Sequence, residues 1–253
     1  MAAYEAHCAR EGRRVPLLLD SCCGTGRSTQ NIAAAHPEHF VIGVDKSLSR
    51  LNRTSSFRAS ATNGNADAEN APPAPNTISS SLGGSGAEAA VRLSATPPHA
   101  ENAENALPGA PSPSSSSTNM VLVCGNCVDF WRLLWESGVR IERHTLYYPN
   151  PYPKVRDLSK RWHGDPAFAV LLRLGGSLEV RATWGTYLEE MALVISHVSG
   201  VPPPEVAAFV PEGRGISNFE AKYLAAEMPV YRLSVPHLPW RPADYVRTET
   251  VSM

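Results

Sequence analysis

The sequence predicts an α/β fold: a mostly parallel sheet with helices on both faces. Three observations lead there. Short apolar runs alternate with helix-like segments. Two of those runs end in an aspartate, and the first aspartate is followed by a glycine-containing turn. The chain has 253 residues, 43% of them hydrophobic, which is enough to bury a core of this kind.

The elements follow in order. Val15-Pro16-Leu17-Leu18-Leu19 is a buried parallel strand running into Asp20 and a glycine turn. Arg27 to His36 reads as a helix that packs through Ile32, Ala33 and Ala35. Phe40 to Val44 is a second buried strand ending in Asp45, and Ser47 is placed to cap the next helix. Met120 to Val123 is a third strand, followed by a helix holding Phe130 to Trp135, with Trp131 and Trp135 turned to the core. Arg143 to Tyr148 is a fourth strand that runs into a proline cluster. Ser177 to Ala182 is a fifth, after the Gly175-Gly176 turn. Tyr187 to Val198 is helical and Val230 to Val235 a late strand. Right-handed crossovers bring the strand ends, with their acids and glycines, to one edge.

Composition narrows the function classes. With 23 basic and 24 acidic side chains the net charge is -1, against a generic polyanion binder but not against a local basic patch. No run of about 18 apolar residues exists, so no membrane partner is expected. The first residues lack the apolar stretch of a secretory signal. Five cysteines do not make a disulfide scaffold, so a reducing compartment is expected, cytoplasmic by default with nuclear or organellar placement open. From about Thr54 to Asn119 Ser, Ala, Asn, Pro and Gly take over. Residues 60–118 are expected to be a disordered insertion within a single domain spanning 1–253, because they cannot bury enough apolar area to offset ordering.

Ligands of open α/β sheets bind outside the carboxyl ends of the strands. Asp20-Ser21-Cys22-Cys23-Gly24-Thr25-Gly26 supplies a carboxylate and two glycines that let the backbone approach a ligand, and Asp45 stands where an acid can accept both hydroxyls of a ribose. The third glycine of a dinucleotide fingerprint is replaced by Thr29, so a phosphate-free nucleoside fits better than a dinucleotide.

That segment resembles motif I of class I S-adenosylmethionine-dependent methyltransferases. Tyr148-Pro149-Asn150-Pro151-Tyr152-Pro153-Lys154 resembles the Pro-Asp-Pro-Trp-Pro-Lys signature of tRNA (guanine-N7)-methyltransferases. Gly175-Gly176-Ser177-Leu178 with Thr183-Trp184 and Tyr187 is similar to a further stretch of that family, as are Ser217-Asn218-Phe219-Glu220 and Tyr231-Arg232-Leu233. The resemblance implies a Rossmann-like seven-stranded sheet, S-adenosyl-L-methionine as cofactor, and tRNA or another structured RNA as partner, with a protein subunit left open. It also implies a longer leader before motif I than this chain carries.

Position by position, it implies cofactor binding by Asp20, Cys22, Gly24, Gly26, Asp45, Lys46, Asn126 and Cys127. Asn150 stands at the catalytic position. Lys154, Arg156, Arg161, Thr183, Tyr187, Ser217 and Glu220 would hold the substrate. Cys22 replaces a glycine of motif I, and Asn126, Asn150 and Thr183 replace carboxylates, as in a divergent member. A non-catalytic RNA-binding subunit, or a methyltransferase of another RNA base, a small molecule or a protein, are the alternatives.

Guanine N7 carries a free lone pair and no proton, so methylation there needs alignment more than a general base. Asn150 would orient the base without adding charge; the alternative is that it stabilises a proline-flanked turn. Lys154, Arg156, Lys160, Arg161, Arg173 and Arg181, interleaved with Tyr152, Trp162 and His163, form the expected RNA patch; a merely solvated basic face is the alternative. The Cys22-Cys23 adjacency is poor ligand spacing compared with a second Cys-x-x-Cys to pair with Cys124-Gly125-Asn126-Cys127, so no metal site is expected.

Overall fold

The computed structural model describes residues 1–53, 119–211 and 213–243; the insertion expected at 60–118 lies outside them. The chain begins with α1 (Ala2–Glu11), β1 (Leu17–Ser21), α2 (Arg27–Ala35), β2 (Phe40–Asp45) and the short α3 (Leu48–Leu51). It continues with β3 (Met120–Cys124), α4 (Cys127–Glu136) and β4 (Arg143–Tyr147). Two 3-10 turns (Val155–Lys160 and Trp162–Gly164) lead into α5 (Phe168–Arg173) and β5 (Gly176–Ala182). The last elements are α6 (Gly185–Ser199), β6 (Val206–Ala208), α7 (Asn218–Ala225) and β7 (Tyr231–Leu238).

Seven strands form one sheet in the order β3-β2-β1-β4-β5-β7-β6. The sheet is mixed. The pairings from β3 through β5 are parallel, whereas β7 runs antiparallel to both β5 and β6. Expectation of a mostly parallel sheet therefore holds for one side only. The two regimes show in burial: every residue of β1 and β2 is buried, while β7 alternates buried and exposed positions.

Alternation along β1 divides the core. Leu17 and Leu19 join the large cluster beneath α4, α5 and α6, which includes Trp131, Phe168, Leu171 and Tyr187. Leu18 points the other way, to Val41, Ile32 and Ala33 under α2. Trp131 is fully buried, with its Nε1 donating to Ser21 Oγ at 2.9 Å. Trp135 is only half-buried and donates to the Arg241 carbonyl at 2.6 Å.

Where the described chain resumes, the Asn119 amide donates to the carbonyls of Ala33, His36 and His39 at 3.0–3.2 Å, fixing the loop between α2 and β2. Strand order reverses between β1 and β4, so the crevice for a ligand opens at their carboxyl ends.

Candidate functional site

At the end of β1 the chain enters a turn with three left-handed residues: Cys22 at φ 59°, Gly24 at 63° and Gly26 at 78°. Gly26 has to be glycine, because a Cβ there would come within 2.7 Å of the Leu122 side chain. Gly24 differs: its Cβ direction meets nothing within 4 Å and faces open space. The turn is tied to β2 by Cys23 N–H donating to the Val44 carbonyl at 3.0 Å and Gly24 N–H donating to Asp45 Oδ2 at 2.9 Å.

Asp20 forms the floor. Its Oδ2 accepts from Ser28 Oγ at 2.6 Å and Thr29 Oγ1 at 2.7 Å, and its Oδ1 from Thr145 Oγ1 at 3.0 Å. Burial pushes this carboxyl above its ordinary range, and the three hydroxyls oppose that push. Asp45 is also buried; its Oδ1 accepts from Ser47 N–H at 2.8 Å and pairs with Arg50 at 3.1 Å. Ser47 thus serves α3 through its backbone, and its side chain makes no capping bond to the helix.

A cavity of about 260 Å³ lies over this turn. Asp20, Cys22, Gly24 and Ser28 line its floor, Tyr147 one side, and Ser217, Phe219 and Lys222 of the α7 region its roof. The roof is fastened down by Asn218, whose Nδ2 donates to Thr25 Oγ1 at 3.0 Å and whose Oδ1 accepts from Arg27 at 2.9 Å. Arg27, Arg50, Arg53 and Lys222 bring four cations to one small cavity. A larger hollow of about 760 Å³ lies at the opposite, amino edge beside Arg14, Arg140 and Trp240. It lacks the glycine turn and lies away from the carboxyl ends of the strands, where ligands of open α/β sheets bind.

The structure brings Asp20, Cys22, Gly24, Asp45 and Ser217 together and leaves other expected residues elsewhere. Lys46 is exposed and off the cavity wall. Asn126 caps α4, its Oδ1 accepting from Val128 N–H at 3.1 Å. Cys127, at the start of α4, lies with its sulfur 3.6 Å from that of Cys22. The contact pushes the Cys22 thiol up, reinforced by burial, and draws that of Cys127 down. Asn150 is exposed and away from the wall; its Oδ1 accepts from Tyr152 N–H at 3.2 Å. Its observed work is to shape the proline loop, in which Tyr148 and Tyr152 also take positive φ of 53° and 44°.

Three expected substrate contacts are built into the fold instead. Arg161 is 3% exposed, pairs with Glu190, donates to the Tyr152 carbonyl at 3.2 Å and lies over the Trp184 ring. Tyr187 is fully buried against His163, ring centroids 4.9 Å apart. Glu220 is fully buried and accepts from Tyr148 Oη at 2.7 Å, Arg181 at 2.8 Å and Ile216 N–H at 2.6 Å. Thr183 is half-buried ahead of α6, and Lys154 and Arg156 are exposed at the first 3-10 turn, outside the cavity.

The expected basic patch is largely spent. Lys160 pairs with Asp157 at 2.7 Å, Arg181 with Glu179 and Glu220, and Arg173 covers Trp135.

Sequence reasoning missed Arg27, Arg50, Arg53 and Lys222. One signal was legible: Ser217-x-x-Glu220 is a helix-capping pattern. Ser217 Oγ accepts from Glu220 N–H at 3.1 Å, while the Glu220 carboxylate reaches back to Ile216. Reading it as a cap places α7 just after it, with Phe219 and Lys222 on its first two turns.

No family model matches the chain. A tRNA (guanine-N(7)-)-methyltransferase of Photobacterium profundum is 29% identical over 112 residues, 42% of this chain and 45% of that protein. One from Chromohalobacter salexigens is 35% identical over 86 residues, 30% of this chain and 35% of that protein. The chain therefore spans less than half the length of these curated relatives. Among solved structures, a 16S rRNA (adenine(1408)-N(1))-methyltransferase from Catenulisporales acidiphilia, solved with its cosubstrate SAM, superposes with a TM-score of 0.53. It is 15% identical, with coverage of 96% of this chain and 94% of that one. An antibiotic-related methyltransferase superposes at 0.50 with 14% identity over 87% of each chain. At such identities the likeness is one of architecture: the chain has the α/β fold of solved methyltransferases.

Proposed function

We propose that this single domain binds S-adenosylmethionine over the glycine turn and methylates a base of structured RNA, with guanine N7 of tRNA as the preferred acceptor. The observation that carries the reading is the cavity itself. It joins a left-handed glycine turn and the buried Asp20, with Asp45 bound to Gly24 N–H at its edge, to four cations at the switch point of the sheet.

The residues fit the cofactor. Gly24 leaves an open face where a side chain would intrude. Asp45 Oδ2 has spare acceptor capacity beside its single bond to Gly24, and Arg50, 40% exposed at its side chain, is free to swing off Oδ1 when ribose hydroxyls arrive. Asp20 and Asp45 offset a positive ligand from below. When bound, the cofactor supplies an electrophilic methyl group. The chain's own part is to align a base nitrogen with it, which suits an acceptor that has no proton to lose. Arg27, Arg53 and Lys222 are placed to hold phosphates, and Phe219, 49% exposed, offers a ring for stacking. Tyr147 closes the side nearest β4. In this reading Asn150 acts through the loop it shapes.

A second reading has one observation behind it. The proline loop offers no carboxylate between Tyr148 and Lys154, and Asn150 Oδ1 is engaged with Tyr152, as suits a non-catalytic RNA-binding subunit. One experiment separates the two. The pure chain is incubated with labelled S-adenosylmethionine and bulk tRNA or rRNA, and the RNA is digested to nucleosides. Label in 7-methylguanosine from tRNA is the expected result. Label in another nucleoside moves the acceptor. RNA and cofactor binding with no label overturns the catalytic reading.

A further inference from the structure

We infer that His36, Glu38 and His39 form a binding site for a divalent transition-metal ion of the zinc class, in the loop joining α2 to β2. The donor atoms His36 Nδ1, Glu38 Oε1 and His39 Nδ1 all lie within 4.8 Å of one another. Glu38 Oε1 is 3.8 Å from His36 Nδ1 and 2.7 Å from His39 Nδ1. Ligands at about 2.0–2.1 Å around a tetrahedral zinc are roughly 3.3 Å apart, so the observed pair brackets the required spacing. The two rings meet edge to face, centroids 5.4 Å apart at 75°, which leaves both Nδ1 atoms room to address one point.

The outer shell supports this more strongly than the cluster alone. His39 Nε2 lies 2.9 Å from Glu142 Oε1, so its proton is donated to that carboxylate. A carboxylate on the far nitrogen is the usual support of a metal-bound histidine. The Nδ1 lone pair is then turned toward Glu38, and Nδ1 is buried with no hydrogen-bond partner. A lone pair facing a carboxylate oxygen at 2.7 Å repels it unless a cation sits beside both. The loop is also pre-built: the Asn119 amide fixes its carbonyls, and Phe40 N–H donates to the Pro16 carbonyl at 2.9 Å. Its role is a clip at the amino edge of the sheet, with one coordination position left to water.

The rival is a proton on His39 Nδ1, and metal titration of the full chain at neutral pH separates them. Zinc is titrated against a chromogenic chelator, and cobalt(II) reports ligand type by its spectrum. The expected result is one equivalent bound, a tetrahedral cobalt spectrum without a thiolate charge-transfer band, and a zinc-dependent rise in the thermal midpoint. His36→Gln or His39→Ala should abolish this, and Glu142→Gln should weaken binding about 10–100-fold. Glu38→Gln gives an independent check if a histidine variant folds poorly. No saturable binding, binding that survives loss of both histidines, or a thiolate band from the cysteines would overturn the site. None of these outcomes depends on methyl transfer.

Discussion

Two regions of this molecule are rich in basic residues, and they use them in opposite ways. Between Lys154 and Arg181 the cations are mostly committed: Arg161 to Glu190, Lys160 to Asp157, Arg181 to Glu179 and Glu220. Around the glycine turn the cations line a cavity, where Arg53 and Lys222 form part of the wall. A local excess of positive charge in a sequence therefore does not locate a polyanion site. What decides is whether the acids that face those cations in space leave any charge over, and Glu179, Glu190 and Glu220 leave little in the first region.

The largest expected effect tests the committed region. Arg161→Ala removes a buried guanidinium from Glu190, the Tyr152 carbonyl and the Trp184 ring. Breaking a buried pair costs about 3–5 kcal/mol, and re-solvation of Glu190, 40% exposed, brings this toward about 3. Urea unfolding should show that loss, while RNA retention by the folded variant stays at the wild-type level. A stable variant with weakened RNA binding would return Arg161 to the substrate side and break the comparison.

The next effect sharpens the rule that a buried base needs a partner. His144 lies in β4 between Leu19 and Leu178, fully buried, with neither ring nitrogen hydrogen-bonded. Burial pushes it from 6.5 down to about 3, so it stays neutral near neutral pH. Between those two values the unfolded chain holds a proton that the folded chain lacks. Its contribution is intact above about pH 6.5 and lost as pH falls, by roughly 1.4 kcal/mol per unit. Unfolding free energies measured down that range should show this slope in the wild type and a correspondingly shallower one in His144→Leu. Equal slopes would mean that the ring finds a partner on protonation.

Much of the architecture was legible because it follows from burial. β1 and β2 are unbroken apolar runs that can only sit in the middle of a covered sheet, and their closing acids fall at one edge for that reason. β6 has three half-exposed or exposed residues and no pattern to show it, and α1 buries only Tyr4 and His7 among alanines and charged residues. The site divides along the same line. Asp20, Gly24, Gly26 and Asp45 were readable because backbone geometry demands them at the strand ends. Arg50, Arg53 and Lys222 were not, because their place depends on where α3 and α7 fold back over the turn. Glu220 was placed with the substrate residues by the family resemblance of Ser217 to Glu220. In the fold it is buried beneath Tyr148 and Arg181 and bonded to both. His36, Glu38 and His39 were not singled out in the sequence, because only the fold brings Glu142 up behind His39.

On the cavity side, Gly24→Ala separates folding from binding. At φ 63° an alanine is strained by about 1 kcal/mol, and its methyl group meets no protein atom within 4 Å. The variant should stay folded, with a small drop in thermal midpoint, yet bind the demethylated cofactor product at least roughly tenfold more weakly by calorimetry, about 1.4 kcal/mol. Unchanged affinity would mean that the open face of Gly24 is not where the ligand lies.

The smallest effect on stability is the most direct test of the comparison. Arg53→Ala and Lys222→Ala remove cavity cations, whereas Lys154→Ala and Arg156→Ala remove exposed cations of the other region. All four should change unfolding free energy by no more than about 0.5 kcal/mol. Their RNA affinities, measured across a salt series, should part. Loss of a phosphate contact lowers the slope of log affinity against log salt by about 1, so the slope should fall for the first pair and hold for the second. The opposite pattern would put the RNA backbone along the 3-10 turn after the proline loop. In that case the cations over the glycine turn would serve the small ligand alone, and the two regions would exchange roles.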